Sequence, residues 1–299
     1  MDKKITIVKN YNRLDRYIKK NVFLSIPQSL LEKYLRKGLI TLNGKIATSK
    51  TKVSEGQQLF IDSSVGFTDT FTQAKHQVKQ HVIKHDIIYQ DQYVILLNKP
   101  SGLAVQGGSK VRVSVDDIIP DLDRVNNEMP RIVHRLDKDT SGILMLARTL
   151  ESARFLANAF VNYKINKKYK AIVGGQISRS NGTIDVPLAK KVLNGQEAIV
   201  PSENGKKSIT HFRVLDVKAQ ENITYLELHP VTGRKHQLRV HMQYYGHPIC
   251  GDQKYGSGHK CKLCLHAYSI NLTLPNNKEI TITAPLPEHM SSIVTTDVC

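Results

Sequence analysis

HRLDKDTSGILMLA, residues 134–147, sets two basic side chains, two carboxylates and a hydroxyl pair directly before an apolar run. That run, entered through Ser141-Gly142, reads as a buried strand with Asp137 near its mouth. Strand patterns recur on either side of it. DIIYQDQYVILLNKP (86–100) is a pair of apolar runs broken by a polar turn, and KKYKAIVGG (167–175), ITHFRVLDV (209–217), TYLELHPV (224–231) and EITITAP (279–285) follow. Helical patterns fall between them at ESARFLANAFVNY (151–163) and HQLRVHMQYYG (236–246), the second closed by Gly246 and Pro248. The pattern predicts an α+β domain with a mixed, mainly antiparallel sheet and flanking helices.

Ahead of this domain, residues 1–62 read as a small α/β unit. RLDRYIKK (13–20) places Leu14, Tyr17 and Ile18 at helical spacing, and a second helix is predicted from a Ser29…Glu32 capping box, a Leu31, Tyr34, Leu35 stripe and a closing Gly38. ITLNGKIATS (40–49) then reads as a hairpin turning on Asn43-Gly44. Two short helices and a hairpin carrying Arg13, Arg16, Lys33, Arg36 and Lys37 resemble the S4 RNA-binding domain, whose groove those cations would line. Residues 63–82, polar and without sustained periodicity, read as a linker to the larger domain, 83–299.

The 299 residues carry 43 Lys and Arg against 26 Asp and Glu, a net charge of +17 that steers the chain towards a polyanion. Nucleic acid is the first candidate. No stretch has the length and apolarity of a membrane-spanning helix, and the opening MDKKITIVKN lacks a signal-peptide core, so a cytoplasmic protein is expected. Of Cys250, Cys261, Cys264 and Cys299, the pair in HKCKLC beside His259 has zinc-like spacing without a second ligand pair, and reduced thiols are the expectation.

No P-loop, dinucleotide fingerprint, nucleophile elbow or H-E-x-x-H occurs. What remains is Asp137 together with NKPSGLAVQGG (98–108), KKYKAIVGG, TGRKHQLRVH (232–241) and GDQKYG (251–256). In this order they resemble the RluA family of RNA pseudouridine synthases over about residues 88–268, HRLDKDTSG being the most specific piece; the leading unit points to the large-subunit ribosomal branch, most like the C type.

The resemblance implies isomerisation of uridine in RNA, large-subunit (23S) ribosomal RNA first, without metal, nucleotide or organic cofactor. It implies that Asp137 acts on C6 of the base, on the sugar carbon, or as a base towards a glycal. Burial beside ILMLA would raise the pKa of that carboxyl, so a cation must compensate, and the resemblance supplies Arg239. Tyr169 would stack on the uracil and could help move the C5 proton. Arg135 would fill the gap left by an everted nucleotide. His134 would accompany it on a phosphate or serve as a packed histidine; Arg234, Lys235, His236 and His241 would hold phosphates near a helix start, with packing an equal alternative for His236 and His241. The competing readings are a synthase acting on tRNA or on other ribosomal sites, a non-catalytic RNA-binding or assembly factor, and a zinc-dependent base-modifying enzyme. A monomer is expected.

Overall fold

A computed structural model describes residues 3–23, 26–65, 81–82, 85–107, 111, 113–193, 195–256 and 261–295. The chain divides into two compact units, Met1–Gln80 with Gln106–Ser114, and His81–Val105 with Val115–Cys299.

In the first unit β1 (Lys3–Thr6), β4 (Gln58–Ile61), β2 (Ile40–Leu42) and β3 (Lys45–Ile46) form an antiparallel sheet in that order, joined by α1 (Leu14–Asn21) and α2 (Gln28–Arg36). The helical stripes bury as read: Leu14, Tyr17, Ile18, Leu31 and Leu35 pack with Ile40, Leu59 and Ile61. Between β2 and β3, Asn43 and Gly44 have φ of 51° and 76°, as a primed hairpin turn requires. Gly38 closes α2 with φ of 70°, its N–H bonding Leu35 O while Leu39 N bonds Tyr34 O.

The capping box does not form. The chain enters α2 at Gln28 with Pro27 as the cap residue and no side-chain cap, which leaves Ser29 inside the first turn. Gln28 reaches Glu32 (2.9 Å) and Asp15 (3.2 Å) instead. Val65, within the stretch read as linker, is buried in this core; residues 66–80 of that stretch lie outside the described residues.

The second unit is built on a sheet with strand order β10 (Asn181–Asp185), β13 (Ile209–Lys218), β14 (Ile223–Pro230), β9 (Asn166–Gly174), β15 (Leu265–Thr273), β8 (Ser141–Ala147), β6 (Val94–Lys99), β5 (Ile87–Gln90). Off this path β16 (Glu279–Thr283) pairs with β15, and β7 (Arg131–Ile132) with β8. Among the described residues the pairings are antiparallel except β15 with β8, so the sheet is mixed and mainly antiparallel, as expected. Every residue of β8 is buried, which accounts for its unbroken apolar run.

Gly142 opens β8 with φ of 102°, and a Cβ there would lie 2.3 Å from Ala267 O on β15. Only glycine lets those two backbones meet, so the glycine of DTSG is a packing requirement of the parallel pair. A short α3 (Val115–Ile118) precedes β7. α4 (Leu150–Val161) starts at Thr149, whose Oγ1 accepts from Ser152 N at 3.1 Å. α5 (Gln237–Tyr244) is buried along six residues, and α6 (Glu288–Thr295) seals the end of the core with Met290. The paired β11 (Leu188–Leu193) and β12 (Gln196–Pro201), together with β10 and β15, are strands that the reading above does not contain.

Candidate active site

Asp137 lies on the loop between β7 and β8, and two buried anchors hold the walls of its site, one on that loop and one on the loop facing it. The first is Lys99, at the end of β6. Its side chain is fully buried, and Nζ donates to Pro100 O (3.0 Å), Leu103 O (2.8 Å) and Lys138 O (2.9 Å). Burial lowers its pKa to about 7, against the opposing charges of Asp139 and Asp137. Gly102 N also bonds Lys138 O (3.0 Å) and Ser101 Oγ bonds Asp139 O (2.8 Å). NKPSGL therefore clamps the backbone directly after Asp137, a role its sequence did not reveal. The second anchor is Gln237. Its Oε1 accepts from Thr232 Oγ1 (2.7 Å) and Arg234 N (3.0 Å), and its Nε2 donates to Ile209 O (2.9 Å) and Thr210 Oγ1 (3.1 Å). This locks the loop that precedes α5 on the facing wall.

Between these walls is a cavity of about 520 Å³ lined by Arg135, Asp137, Tyr169, Arg234, His236 and Arg239 among others. Residues 102 positions apart meet in it: Arg239 Nη1 donates to Asp137 Oδ2 at 3.2 Å. The expected burial of Asp137 is corrected, because its side chain keeps 24% of its exposure. The buried carboxylate is Asp252, whose two oxygens take Arg239 Nε (2.7 Å) and Nη2 (2.8 Å) and the N–H groups of Lys254 (2.9 Å) and Tyr255 (3.0 Å).

A guanidinium has one edge for a two-point carboxylate contact and one nitrogen left over. Asp252 occupies the edge and Asp137 receives the remainder, so Asp137 is held end-on with Oδ1 turned away. Burial alone would lower the Arg239 pKa, but bonds and charge from Asp252, then Asp137, carry it upward. The same bonds pull Asp252 below its ordinary value against its burial. Asp252 lies in GDQKYG, and its spacing to Arg239 crosses a helix end and two loops, so no local pattern reports the pair.

Tyr169, on β9 opposite Leu228 and Ala267, turns its ring into the cavity. Burial, then the charge of Asp137, pushes its phenol above its ordinary value, so it stays protonated near neutrality. Its ring can stack and its O–H can donate; a phenolate base is disfavoured. His236 caps α5 in the left-handed region with φ of 54°, its Nδ1 2.7 Å from Tyr255 Oη and its Nε2 3.7 Å from Asp137 Oδ1. Arg135 is exposed on the cavity wall, as is Arg234, whose Nε also bonds Lys207 O at 3.2 Å.

Two histidines resolve as packing groups. His134 stacks on Phe160 at 4.7 Å and accepts from Met145 N at 2.8 Å; burial, with Lys167 nearby, lowers its pKa to about 3, so it is neutral and supplies no charge to a phosphate. His241 sits in the last turn of α5, fully buried between Thr210 Oγ1 (2.9 Å) and Val186 O (3.1 Å), away from the helix start. Lys235 pairs with Glu197 of β12 at 2.7 Å.

In the first unit Arg16, Lys33, Arg36 and Lys37 are exposed, whereas Arg13 makes a two-point pair with the buried Asp15 (3.0 and 2.6 Å) and spends much of its charge there. Cys250 and Cys264 are buried and Cys261 exposed, all as free thiols, with burial raising the Cys250 thiol to about 11. His259 and Cys299 lie outside the described residues.

Residues 93–244, which contain Asp137, Tyr169 and Arg239, match the model of the RNA pseudouridylate synthase family. The chain belongs to the RNA pseudouridylate synthases. It is 35% identical over 295 residues to ribosomal large subunit pseudouridine synthase C of Rickettsia typhi, covering 95% of this chain and 96% of that protein. To the synthase of the same name from Vibrio cholerae it is 33% identical, covering 95% and 92%. The solved structure of human RNA pseudouridylate synthase domain containing 4 superposes with a TM-score of 0.62 at 27% identity, over 74% of this chain and 95% of that one. In this RNA pseudouridylate synthase, then, the cavity presents one end-on carboxylate, one buried guanidinium and one protonated phenol. That set suits cleavage of a glycosidic bond: the carboxylate can react at carbon or take a proton, and the phenol ring can hold the detached base.

Proposed function

We propose that this synthase isomerises specific uridines of large-subunit ribosomal RNA to pseudouridine, with Asp137 as the reacting carboxylate. The observation that carries this reading is the 3.2 Å contact of Arg239 Nη1 on Asp137 Oδ2, at the wall of a cavity that also receives Tyr169. The guanidinium occupies Oδ2, which leaves lone pairs of Oδ1 for the nucleotide. The reaction breaks N1–C1′, turns the base and joins C5 to C1′, while C5 loses a proton and N1 gains one. A uridine stacked in RNA reaches such a carboxylate only after eversion, which costs a few kcal/mol. Arg135, exposed at the cavity, is suited to occupy the vacated position.

The ribosomal target is supported by the names of the relatives and by the net charge of +17. The first unit, with helices, hairpin and exposed Arg16, Lys33, Arg36 and Lys37, supports an S4-like role in gripping the phosphate backbone. The test is release of tritium to water from a large-subunit transcript labelled at C5 of uridine. Turnover with mapped pseudouridines is expected; no release from unmodified ribosomal RNA would end the proposal, and release from tRNA alone would redirect it.

A further inference from the structure

We infer that Tyr255 and His236 are positioning residues for Asp137: the tyrosine fixes the histidine as the tautomer protonated on Nε2, and that N–H orients Oδ1 of the reacting carboxylate. This rests on the pseudouridylate reading of the same cavity. The hydrogen-bond order follows from donor chemistry. Ile199 N–H, on β12, lies 3.1 Å from Tyr255 Oη and can only donate. The hydroxyl therefore accepts there, and its own proton has His236 Nδ1, 2.7 Å away, as its acceptor. Among the described residues Oη has no other hydrogen-bond partner, and a buried hydroxyl proton left without an acceptor is costly. Nδ1 must then be unprotonated, and the ring carries its hydrogen on Nε2.

That nitrogen faces Asp137 Oδ1 at 3.7 Å, about half an ångström beyond hydrogen-bond range, a gap that a small inward movement of the nucleotide-loaded loop closes. The aim of the ring is built in. His236 holds a left-handed backbone at φ of 54° at the head of α5, and its loop is locked by Gln237. Tyr255 supports both partners of Asp137, because the Arg239 guanidinium lies over its ring at 5.1 Å. Arg239 thus holds Oδ2 and His236 addresses Oδ1, which fixes rotation of the carboxylate. Burial lowers the His236 pKa and Asp137 opposes it, while Arg239, Lys235 and Lys254 push it further down. Asp252, the other charge beside Tyr255, is spent on Arg239. A neutral imidazole orients the carboxylate without adding a second cation that would blunt it.

The test is single-turnover tritium release by the full chain with Tyr255→Phe, His236→Gln and His236→Ala, followed from about pH 8 to about pH 5.5. Tyr255→Phe is expected to lower the rate roughly tenfold at the high end with KM for RNA unchanged, and His236→Ala roughly a hundredfold, as misorientation by about 1 Å would. The Tyr255→Phe deficit should shrink towards wild type as pH falls, because an imidazolium carries hydrogen on both nitrogens whatever faces Nδ1. A purely structural tyrosine would leave a deficit that does not change with pH. His236→Gln, which places an amide N–H at the Nε2 position, should stay within about threefold of wild type. A pH-independent deficit in Tyr255→Phe, or equal losses in His236→Gln and His236→Ala, overturns the inference while wild-type turnover leaves the reaction standing. If Tyr255→Phe does not fold, the histidine pair decides alone. Inactive wild type overturns the reaction and this pairing with it.

Discussion

At the scale of single residues, the site works by dividing one guanidinium between two carboxylates. Arg239 gives its edge to the buried Asp252 and one nitrogen to the part-exposed Asp137, so the structural acid and the acid proposed to react are distinguished by geometry, not by residue type. Asp137→Asn preserves shape and removes the charge that reacts. It is expected to abolish tritium release while RNA affinity, read by filter binding, stays within about threefold, since phosphate contacts dominate affinity. HRLD stood out as charged residues at the mouth of an apolar strand, whereas the pairing of HQLR with it came only from the resemblance to the RluA family. The fates of His134 and His241 were not legible. Each is settled by the acceptor or donor that packing places against it, Met145 N for one and Thr210 and Val186 for the other.

Among the secondary-structure elements, two close contacts hold the sheet that carries the site. Gly142 lets β8 lie against β15, and Gly142→Ala would bring a Cβ to 2.3 Å from Ala267 O at a φ of 102°. The strain alone is of order 1–3 kcal/mol, and the clash adds to it. Thermal unfolding should therefore shift downward by several degrees or more, with activity lost alongside.

Glu227 ties β14 to its neighbours, bonding Lys170 on β9 (3.0 Å), Arg213 on β13 (3.1 Å) and His229 (2.9 Å) while itself almost fully buried. Burial would raise its pKa, but the bonds from His229 and Lys170 and the charges of Lys170 and Lys168 outweigh that and bring it to about 2. A carboxylate depressed in the fold contributes stability that is complete above its unfolded value, near 4.3, and disappears as pH falls to about 2. Glu227→Gln should thus cost on the order of 3 kcal/mol at neutral pH in urea unfolding, and the difference from wild type should vanish across that acid window.

For the whole molecule, charge and partition into two units bear on RNA. The net charge of +17 is carried partly by exposed cations of the first unit, with Arg13 already neutralised by Asp15. Arg36→Ala should weaken binding to ribosomal RNA uniformly and reduce the slope of log affinity against log salt by about one. Arg13→Ala should change that slope less and lower stability instead, because it removes the cation paired with the buried Asp15 and leaves that carboxylate with Gln28 as its side-chain partner. Among the described residues no helix is long and apolar enough to cross a membrane.

What the sequence determined by itself was local: the helices of the first unit, the Asn43-Gly44 turn, β8 with β5, β6, β9, β13, β14 and β16, and the residue types of the loop that carries Asp137. Each depends on neighbours within a turn or a strand, where periodicity and backbone chemistry leave a direct signature. Even there Pro27 displaced a helix start, and β10, β15 and the β11–β12 hairpin passed unread. The tertiary structure alone decided which acid is buried, which histidine is neutral and spent, and which cation remains available to RNA. Those outcomes depend on groups that meet only after long loops close, as Asp137 and Arg239 do across 102 positions, because an ion pair is set by distance in space and by competing partners rather than by order along the chain.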